Sequence, residues 1–583
     1  MSDKIMELAS VVQNQYKEIL SYKKQQGFHE KWAEYERFLS GDQWPPVTEK
    51  TKNLPRPVFN IINRIEKFKV SSVMNENIKM VFTAEDLDTE EGPYEGAERF
   101  SRLSDATWEN IKQDKLNEEA LEIAANTGTG IWHYYWDNSK TGGNVMKYKG
   151  EIAGEIIDPV NFFPGNPQNN DVQKQPYIII THRDLVSNVR QEAESNGLSK
   201  ELVALILPDS DTQDQAYDMA KQEVKGSDKC TVLTKYWKEN GSIFFMKVVG
   251  NVVIKPKTNT RLKLYPLVIM QWERRRKSIF GIGDTEGLIP NQKGINFLMA
   301  MQLLSVQLTG WPKLVLDRSF VQNTPTNEPG EIISVNGVNG RIDSVVQYLN
   351  PGNISPVAQT LVESFMQFTK ELTGANENAL GEQSTAQMNA TAIMLLQKAS
   401  GIPIEAVKRR FYQAMEDVGR IWLEFWTTYY NMERTVALRD DEGESYTDSF
   451  VGTDYADVDM KLKIDIGPSS SYSESLMMTS LDKLFDTQQI SLEQYLRYAP
   501  KNVIPFKDRL LKEVQEQQEQ QQMLMQQQQE EQMMMQQQQE AENAPHPFDQ
   551  ELSKLPKHQQ KNFEKLPPEL QDQIMQQVVP PQQ

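Results

Sequence analysis

Any catalysis in this chain would have to be assembled from few parts. The five histidines, His29, His133, His182, His546 and His558, stand far apart. None has a second His or Cys at metal-ligand spacing, which disfavours a metallo-hydrolase. The single cysteine, Cys230, can form no intramolecular disulfide and fits a reducing compartment, or a particle assembled in one. The run Phe280-Gly281-Ile282-Gly283-Asp284-Thr285-Glu286-Gly287 approaches a dinucleotide fingerprint. Its third glycine falls one position late, however, and Glu286 takes that place. No Gly-Lys-Ser/Thr of a phosphate loop occurs. The segment reads instead as a glycine bend into a helix N-terminus, with Asp284 or Thr285 as cap. Asp454, Asp457, Asp459 and Asp465 would be the raw material of a metal-dependent nuclease. Yet Asp459 and Asp465 occupy the polar positions of an alternating strand, and no Lys or His accompanies them at catalytic spacing. Asp440, Asp441, Glu442 and Glu444 have the wrong spacing for a calcium loop and read as an exposed turn. The expectation is therefore no catalytic residue, no metal site and no cofactor.

The charge balance points the same way. With a formal net charge of −19, the chain as a whole gains nothing from counterion release on DNA. A site-specific nucleic-acid reader is a poor fit. The basic clusters Arg274-Arg275-Arg276-Lys277 and Lys408-Arg409-Arg410 read as solvated edges. The first residues, Met1-Ser2-Asp3-Lys4, lead into a polar amphipathic stretch and not an apolar signal core. The most apolar run, residues 295–308, is interrupted by Asn296, Gln302, Ser305 and Gln307 and is too polar for a bilayer span.

The elements that would position these residues are mostly helical. Phe28, Trp32, Tyr35 and Leu39 recur on one helical face, ended by the turn residues at 41–46. Arg56-Pro57-Val58-Phe59-Asn60 opens a helix carrying Ile61, Ile65 and Phe68, and a further helix is expected over about 95–126. Residues 127–270 read as one α+β domain. Its strands lie at 130–136, 177–181, 232–237 and 243–249, with an Asn240-Gly241 hairpin and a helix at 185–207. Two apolar helices follow, at 284–308 and 356–373, around an insert with short strands at 313–317, 331–335 and 344–349. The first is apolar on several sides, as a helix buried on several faces must be. The second carries the stripe Val357, Leu361, Phe365, Phe368 and Leu372, with Gly374 as its stop.

After a loop at 374–384 comes a long helix reaching Tyr429. It is expected to break at Gly401-Ile402-Pro403, with Pro403 in the first turn of the segment that follows. Its stripe is Ile404, Val407, Phe411, Met415, Val418, Trp422, Phe425 and Tyr429. Val458, Met460, Leu462, Ile464 and Ile466 then alternate with polar residues as a half-buried strand does. Residues 474–511 return to helix. Beyond Lys512 an approximate ten-residue repeat, Gln-Met-x-Met followed by four glutamines, would wind its apolar patch about 280° per repeat. That excludes a simple two-stranded seam and leaves a superhelical helix or disorder. Isolated Phe548, Phe563 and Leu566 after Pro545 read as a mobile or linear docking tail.

Four stretches in this order resemble the portal proteins (head–tail connectors) of tailed bacteriophages, those of short-tailed phages above all. They are Trp32-x-x-Tyr35-x-x-Phe38-x-x-Gly41-x-Gln43-Trp44; Arg56-Pro57-Val58-Phe59-Asn60 with Ile61 and Ile65; Phe280-Gly281-x-Gly283 through Leu288-Ile289-Pro290-x-Gln292-x-x-Ile295-Asn296; and Glu371-Leu372-Thr373-Gly374 through Leu380-Gly381 into Thr391-Ala392. The Gln/Met tail is expected to lie outside the shared pattern.

The resemblance implies an α+β, mainly α subunit of a ring of about twelve copies around a DNA channel. It divides the chain into a wing (1–283), stem helix 1 (284–310), a small β-rich clip (311–355) and stem helix 2 (356–374). A tunnel loop (375–388), a wing long helix with closing strand (389–474) and an α-helical crown (475–511) follow. Residues 512–583 would be a helical barrel or disordered. Stem packing would fall to Leu298, Leu303, Leu361, Phe365, Phe368 and Leu372. The DNA-facing constriction would fall to Asn376, Glu377, Asn378, Leu380, Glu382 and Gln383, a loop with no Lys or Arg.

The implied partners are other copies of the chain, double-stranded DNA passing non-specifically, the terminase large subunit, a head-completion or tail adaptor protein, and the major capsid and scaffolding proteins, with no membrane. The implied location is the portal vertex of a virion assembled in the bacterial cytoplasm. About twelve acidic copies would carry roughly −230 charges, which would repel phosphates from a lumen and not grip them. The competing readings are a metal-dependent nuclease or other nucleic-acid enzyme of packaging, and a cytoskeletal or scaffold-like oligomer unrelated to phage.

Overall fold

The computed structural model describes residues 2–75, 77–84, 92–142, 148–209, 228–310, 313–321, 326, 332, 334–336, 345–349, 356–373, 390–439, 445–458, 460–467, 471–499, 504, 507–542 and 552–578. Two helices come first, α1 (Ser2–Gln25) and α2 (Phe28–Ser40). Gly27 (φ 69°) turns the chain between them and Gly41 (φ 93°) stops the second, both in the left-handed region that glycine enters freely. Phe28, Trp32 and Tyr35 are buried as their spacing requires, with Phe38 completing the face and Leu39 partly covered. Asn60 caps α3 (Ile61–Met74), and β1 (Asn77–Ala84) follows.

The helix expected over 95–126 is in fact two, α4 (Gly92–Ile111) and α5 (Gln113–Thr127). Lys112 adopts a left-handed conformation, φ 56°, and breaks it. Past that break Gln113 accepts from the Tyr134 hydroxyl at 2.9 Å, and Asn117 accepts from the Trp132 indole at 3.1 Å. The buried polar pair is thereby satisfied.

The next stretch comprises β2 (Thr129–Gly142), β3 (Tyr148–Ile156), β4 (Phe162–Pro164), β5 (Tyr177–Leu185), α6 (Val186–Ser195), α7 (Lys200–Ala204), β6 (Lys229–Glu239), β7 (Ser242–Val249), β8 (Val252–Asn259) and β9 (Leu267–Gln271). Among the described residues these strands form two antiparallel sheets, β3-β2-β9 and β4-β5-β6-β7-β8. The Asn240-Gly241 hairpin is present, with positive φ at both residues (50° and 80°) as a type I′ turn demands. Gly197 (φ 85°) divides the helix expected at 185–207. α1 covers one face of the larger sheet through Val12, Tyr16 and Ile19 against Phe163, Leu233 and Met246. Lys23 is fully buried there. Its Nζ donates to the carbonyls of Pro159 (2.6 Å) and Val160 (2.9 Å), and burial holds its pKa well below the ordinary lysine value.

The remainder of this unit is α8 (Asp284–Gly310), β10 (Lys313–Leu316), β11 (Val346–Leu349), α9 (Pro356–Thr373), α10 (Ala390–Tyr429), β12 (Arg434–Arg439), β13 (Ser445–Phe450) and β14 (Met460–Gly467). The expected paired helices match α8 and α9 closely. Within the insert β10 pairs antiparallel with β11, and of the strand expected at 331–335 the described residues show a bridge between Val321 and Val335.

α10 corrects the expected break: it continues through Gly401-Ile402-Pro403 and places Pro403 in its interior. A proline there removes one backbone bond and crowds the preceding turn. The opposing factor is burial: Ile404, Val407, Phe411, Met415, Val418, Trp422, Phe425 and Trp426 all sit in the main core with Trp132, Phe82 and Phe100. The alternating strand at the far end, β14, pairs antiparallel with β1, Met80 facing Ile464. Arg434 locks the end of α10 to β3. It meets Glu151 at 3.0 Å, donates to the Gly150 carbonyl at 2.9 Å, and stacks 3.7 Å from the Tyr430 ring centroid.

Residues Met1–Ser470 form one compact unit and Ser471–Gln583 a second. The second contains α11 (Ser471–Asp486), α12 (Leu492–Tyr498), α13 (Lys507–Glu542), α14 (Lys557–Phe563) and α15 (Pro568–Val578). A Ser491/Gln494 capping box starts α12. α13 runs unbroken through the Gln/Met repeat, a segment of strong helix formers. Met523, Met525, Met533, Met534 and Met535 are all more than half exposed on it. The stretch after Pro545, expected to be a mobile or linear tail, carries the two short helices α14 and α15.

Candidate assembly surface on the paired helices

The base of α8 is built from the glycine bend. A Cβ on Gly281 would overlap the Gly128 carbonyl, and one on Gly283 would overlap the Asn126 carbonyl. Only glycine lets these backbones approach. The bend therefore serves packing and not phosphate binding. Asp284 in the first turn pairs with Lys69 at 2.8 Å, both side chains largely buried, a favourable place for a carboxylate at a helix N-terminus. The Thr285 hydroxyl donates to Glu66. Burial, with Asp284 and Glu36 nearby and the Thr285 bond opposing, pushes the Glu66 carboxyl up to about 8.

One turn further, a chain of buried amides ties α8 to α2 and α3. Gln292 Nε2 donates to the Phe59 carbonyl (2.6 Å) and to Asn296 Oδ1 (2.9 Å), while its Oε1 accepts from the Ile61 amide (3.1 Å). Asn296 Nδ2 donates to Gln43 Oε1 at 2.6 Å. Gln43 Nε2 donates in turn to the Phe38 carbonyl (2.8 Å) and to Asn60 Oδ1 (3.2 Å). Three of the four stretches singled out in the sequence thus meet in one network. Its composition was hard to foresee. Gln43, Asn60, Gln292 and Asn296 all stand in those stretches, but nothing in their spacing says that they bond to one another.

Beyond Asn296 the character of α8 changes. Phe297 (54%), Met301 (44%), Leu303 (41%) and Val306 (56%) are exposed, as are Leu361 (43%) and Phe368 (59%) on α9. Leu298 and Phe365 are half-buried, and Leu372 falls outside the described side chains. α9 buries a different flank from its expected stripe: Val362 and Thr369 are covered, and Thr369 Oγ1 accepts from Asn291 Nδ2 at 3.2 Å. Gly294 leaves room for Phe365, whose ring would lie 3.6 Å from a Cβ at that position. The loop residues Asn376, Glu377, Asn378, Leu380, Glu382 and Gln383 lie outside the described residues.

Among the described residues, those considered for catalysis are not brought together; Asp440, Asp441, Glu442, Glu444, Asp459 and His546 lie outside the described residues. His133 holds Glu155 at 2.8 Å and the Tyr236 hydroxyl at 3.1 Å, bridging the two sheets. Burial and the charges of Lys23 and Lys24 push the His29 imidazole down to about 4. Burial pushes the Cys230 thiol up to about 11. Among the described residues, no group of three His, Cys, Asp or Glu could hold a metal ion, and no helix is long and apolar enough to cross a membrane. Of the basic clusters, Arg410 is drawn into the fold and donates to the Trp272 carbonyl, a correction to its reading as a solvated edge.

The family model described as Phage P22-like portal protein matches residues 186–552. No curated protein matches the chain. The matched span covers the α8–α9 pair and α10. It also takes in α13, so the Gln/Met segment, expected outside the shared pattern, lies within it. The stretches at 32–44 and 56–65 precede it.

Proposed function

Because the chain belongs to the P22-like phage portal protein family, we propose that it forms a closed ring of about twelve copies at one capsid vertex, conducting double-stranded DNA in and out. The family assigns a portal role in the virion, and a structural role in place of an enzymatic one. The observation that carries the assembly reading is the uncovered apolar half of α8 beside the exposed Leu361 and Phe368 of α9. Contiguous apolar surface of this kind marks an interaction site. Identical neighbours in a head-to-tail ring would cover it.

In this reading residues 1–283 with 389–474 are the wing, 284–310 and 356–374 the stem, 311–355 the clip, 375–388 the tunnel loop and 475–511 the crown. Residues 512–583 are the barrel extension. The clip docks first the terminase large subunit and then the head-completion or tail adaptor. The major capsid and scaffolding proteins surround the ring as it assembles in the bacterial cytoplasm. Particles assembled without the chain should contain no packaged DNA when extracted and sized on a gel. DNA-filled particles of normal yield would refute the role. A Glu382→Lys ring should hold DNA and slow its ejection; unchanged packaging and ejection would remove the loop from the channel.

A further inference from the structure

The last helices of the chain carry an internal repeat that the portal reading leaves without a role. Leu555-Pro556 and Gln560 recur eleven residues on as Leu566-Pro567 and Gln571. At the same interval the apolar position Leu552 recurs as Phe563 and again as Ile574. The bonds repeat with the sequence. Gln560 Nε2 donates to the carbonyls of Leu552 and Leu555, both at 2.9 Å. Gln571 Nε2 donates to those of Phe563 and Leu566, both at 3.0 Å. In each unit the amide reaches back over a leucine–proline turn and ties it to the helix that follows, α14 in the first and α15 in the second.

A small repeat unit cannot bury its apolar face alone, and roughly three or more must stack before the array is stable. The sequence supplies two, and Leu555, Leu566 and Leu570 stand exposed on them. Exposed leucines by themselves would not name what covers them. The charges do. His558 and Lys561 of the first unit are matched in the second by Glu569 and Asp572. All four are exposed, and none forms an ion pair among the described residues. The stretch 552–563 holds Lys554, Lys557 and Lys561 and no carboxylate, whereas 564–574 holds Glu564, Glu569 and Asp572 against the single Lys565. One turn-and-helix design is thus written twice, first basic and then acidic.

We propose that these two units dock between copies of the chain, the acidic unit of one copy against the basic unit of the next. A head-to-tail contact of this kind joins two different surfaces of the same chain, as a closed ring requires. It continues from copy to copy the alternation of basic and acidic units that each chain begins, and it covers the exposed leucines. Like units would set His558 and Lys561 against themselves, or Glu569 and Asp572 against themselves, so charge fixes which unit meets which. The inference rests on the ring reading for the nearness of the copies.

The test uses the full-length chain in two forms, Gln559→Cys and Leu570→Cys, exposed and matched positions of the two units. The forms are coexpressed and treated with a bismaleimide cross-linker. Cys230 is buried, so each chain offers one reactive thiol and every product joins two copies. The mixture should yield at least fivefold more covalent dimer than either form alone. His558→Glu with Lys561→Glu, placed in both forms, should remove that excess. Adding Glu569→Lys and Asp572→Lys should restore it, which also shows that the reversed chains fold. Rings seen by electron microscopy without excess dimer would overturn the tail contact and leave the ring standing. Excess dimer without rings would do the opposite, and absence of both would overturn both. Equal dimer from either form alone, or an excess indifferent to charge reversal, would also overturn the proposal.

Discussion

The two halves of α8 obey different rules. From Asp284 to Asn296 the helix is held by specific polar bonds: Asp284–Lys69, Thr285–Glu66 and the Gln292–Asn296–Gln43 chain. From Phe297 onward, among the described residues, Phe297, Met301, Leu303 and Val306 stand exposed. Directional bonds fix where a rod leaves a domain. Non-directional apolar surface tolerates many partners in register around a ring. The contrast teaches that one helix can be anchored at its root by its own fold and finished along its shaft by its neighbours.

The sharpest way to break that contrast is on the shaft. Phe297→Lys combined with Phe368→Lys should abolish assembly, moving the chain from ring to monomer in sedimentation. The stability of the isolated chain should change by no more than about 0.5 kcal/mol, as for other exposed positions. Loss of folding in the monomer would mean that these residues belong to the chain's own core.

At the root the expected effect is smaller and has the opposite pattern. Gln292→Leu leaves the Phe59 carbonyl, the Ile61 amide and Asn296 short of partners. It should cost about 1–3 kcal/mol for each group left unsatisfied, read as a lower denaturation midpoint of the monomer. Assembly of the folded fraction should persist.

The root also carries a pH dependence. Glu66 has a folded pKa of about 8, above its unfolded value near 4.5, so the folded state holds the extra proton between them. Stability should therefore be greatest below about 4.5 and fall as pH rises towards 8. Asp284, Glu36, Lys69 and the Thr285 hydroxyl are the groups that face it. Glu66→Gln should flatten the decline in melting temperature between pH 5 and 8; an unchanged slope would show that another group carries it.

What was legible in the sequence follows the same divide. α8 and α9 could be bounded because each has a local start or stop signal and a dense apolar composition. The Asn240-Gly241 hairpin was legible because its turn type needs those residues. The break at Lys112 was not, because a lysine carries no local signal for a left-handed conformation; the satisfaction of Gln113 and Asn117 by Tyr134 and Trp132 is a tertiary matter. The supposed break at Gly401-Ile402-Pro403 was the reverse error, a local breaker outweighed by the burial of the turns that follow. The pairing of β1 with β14 joins segments far apart in the chain, which periodicity cannot reveal. Leu361 and Phe368 of the α9 stripe were legible as apolar, but not as exposed while Phe365 beside them lies against Gly294 of α8. That distinction depends on which flank the partner helix reaches.

Imaging of the purified, full-length chain by electron microscopy tests the central claim most directly. The account predicts closed rings with a central opening and with the α8 and α9 apolar faces at the contacts between neighbours. Particles that remain single subunits at high concentration, with those faces open to solvent, would contradict it.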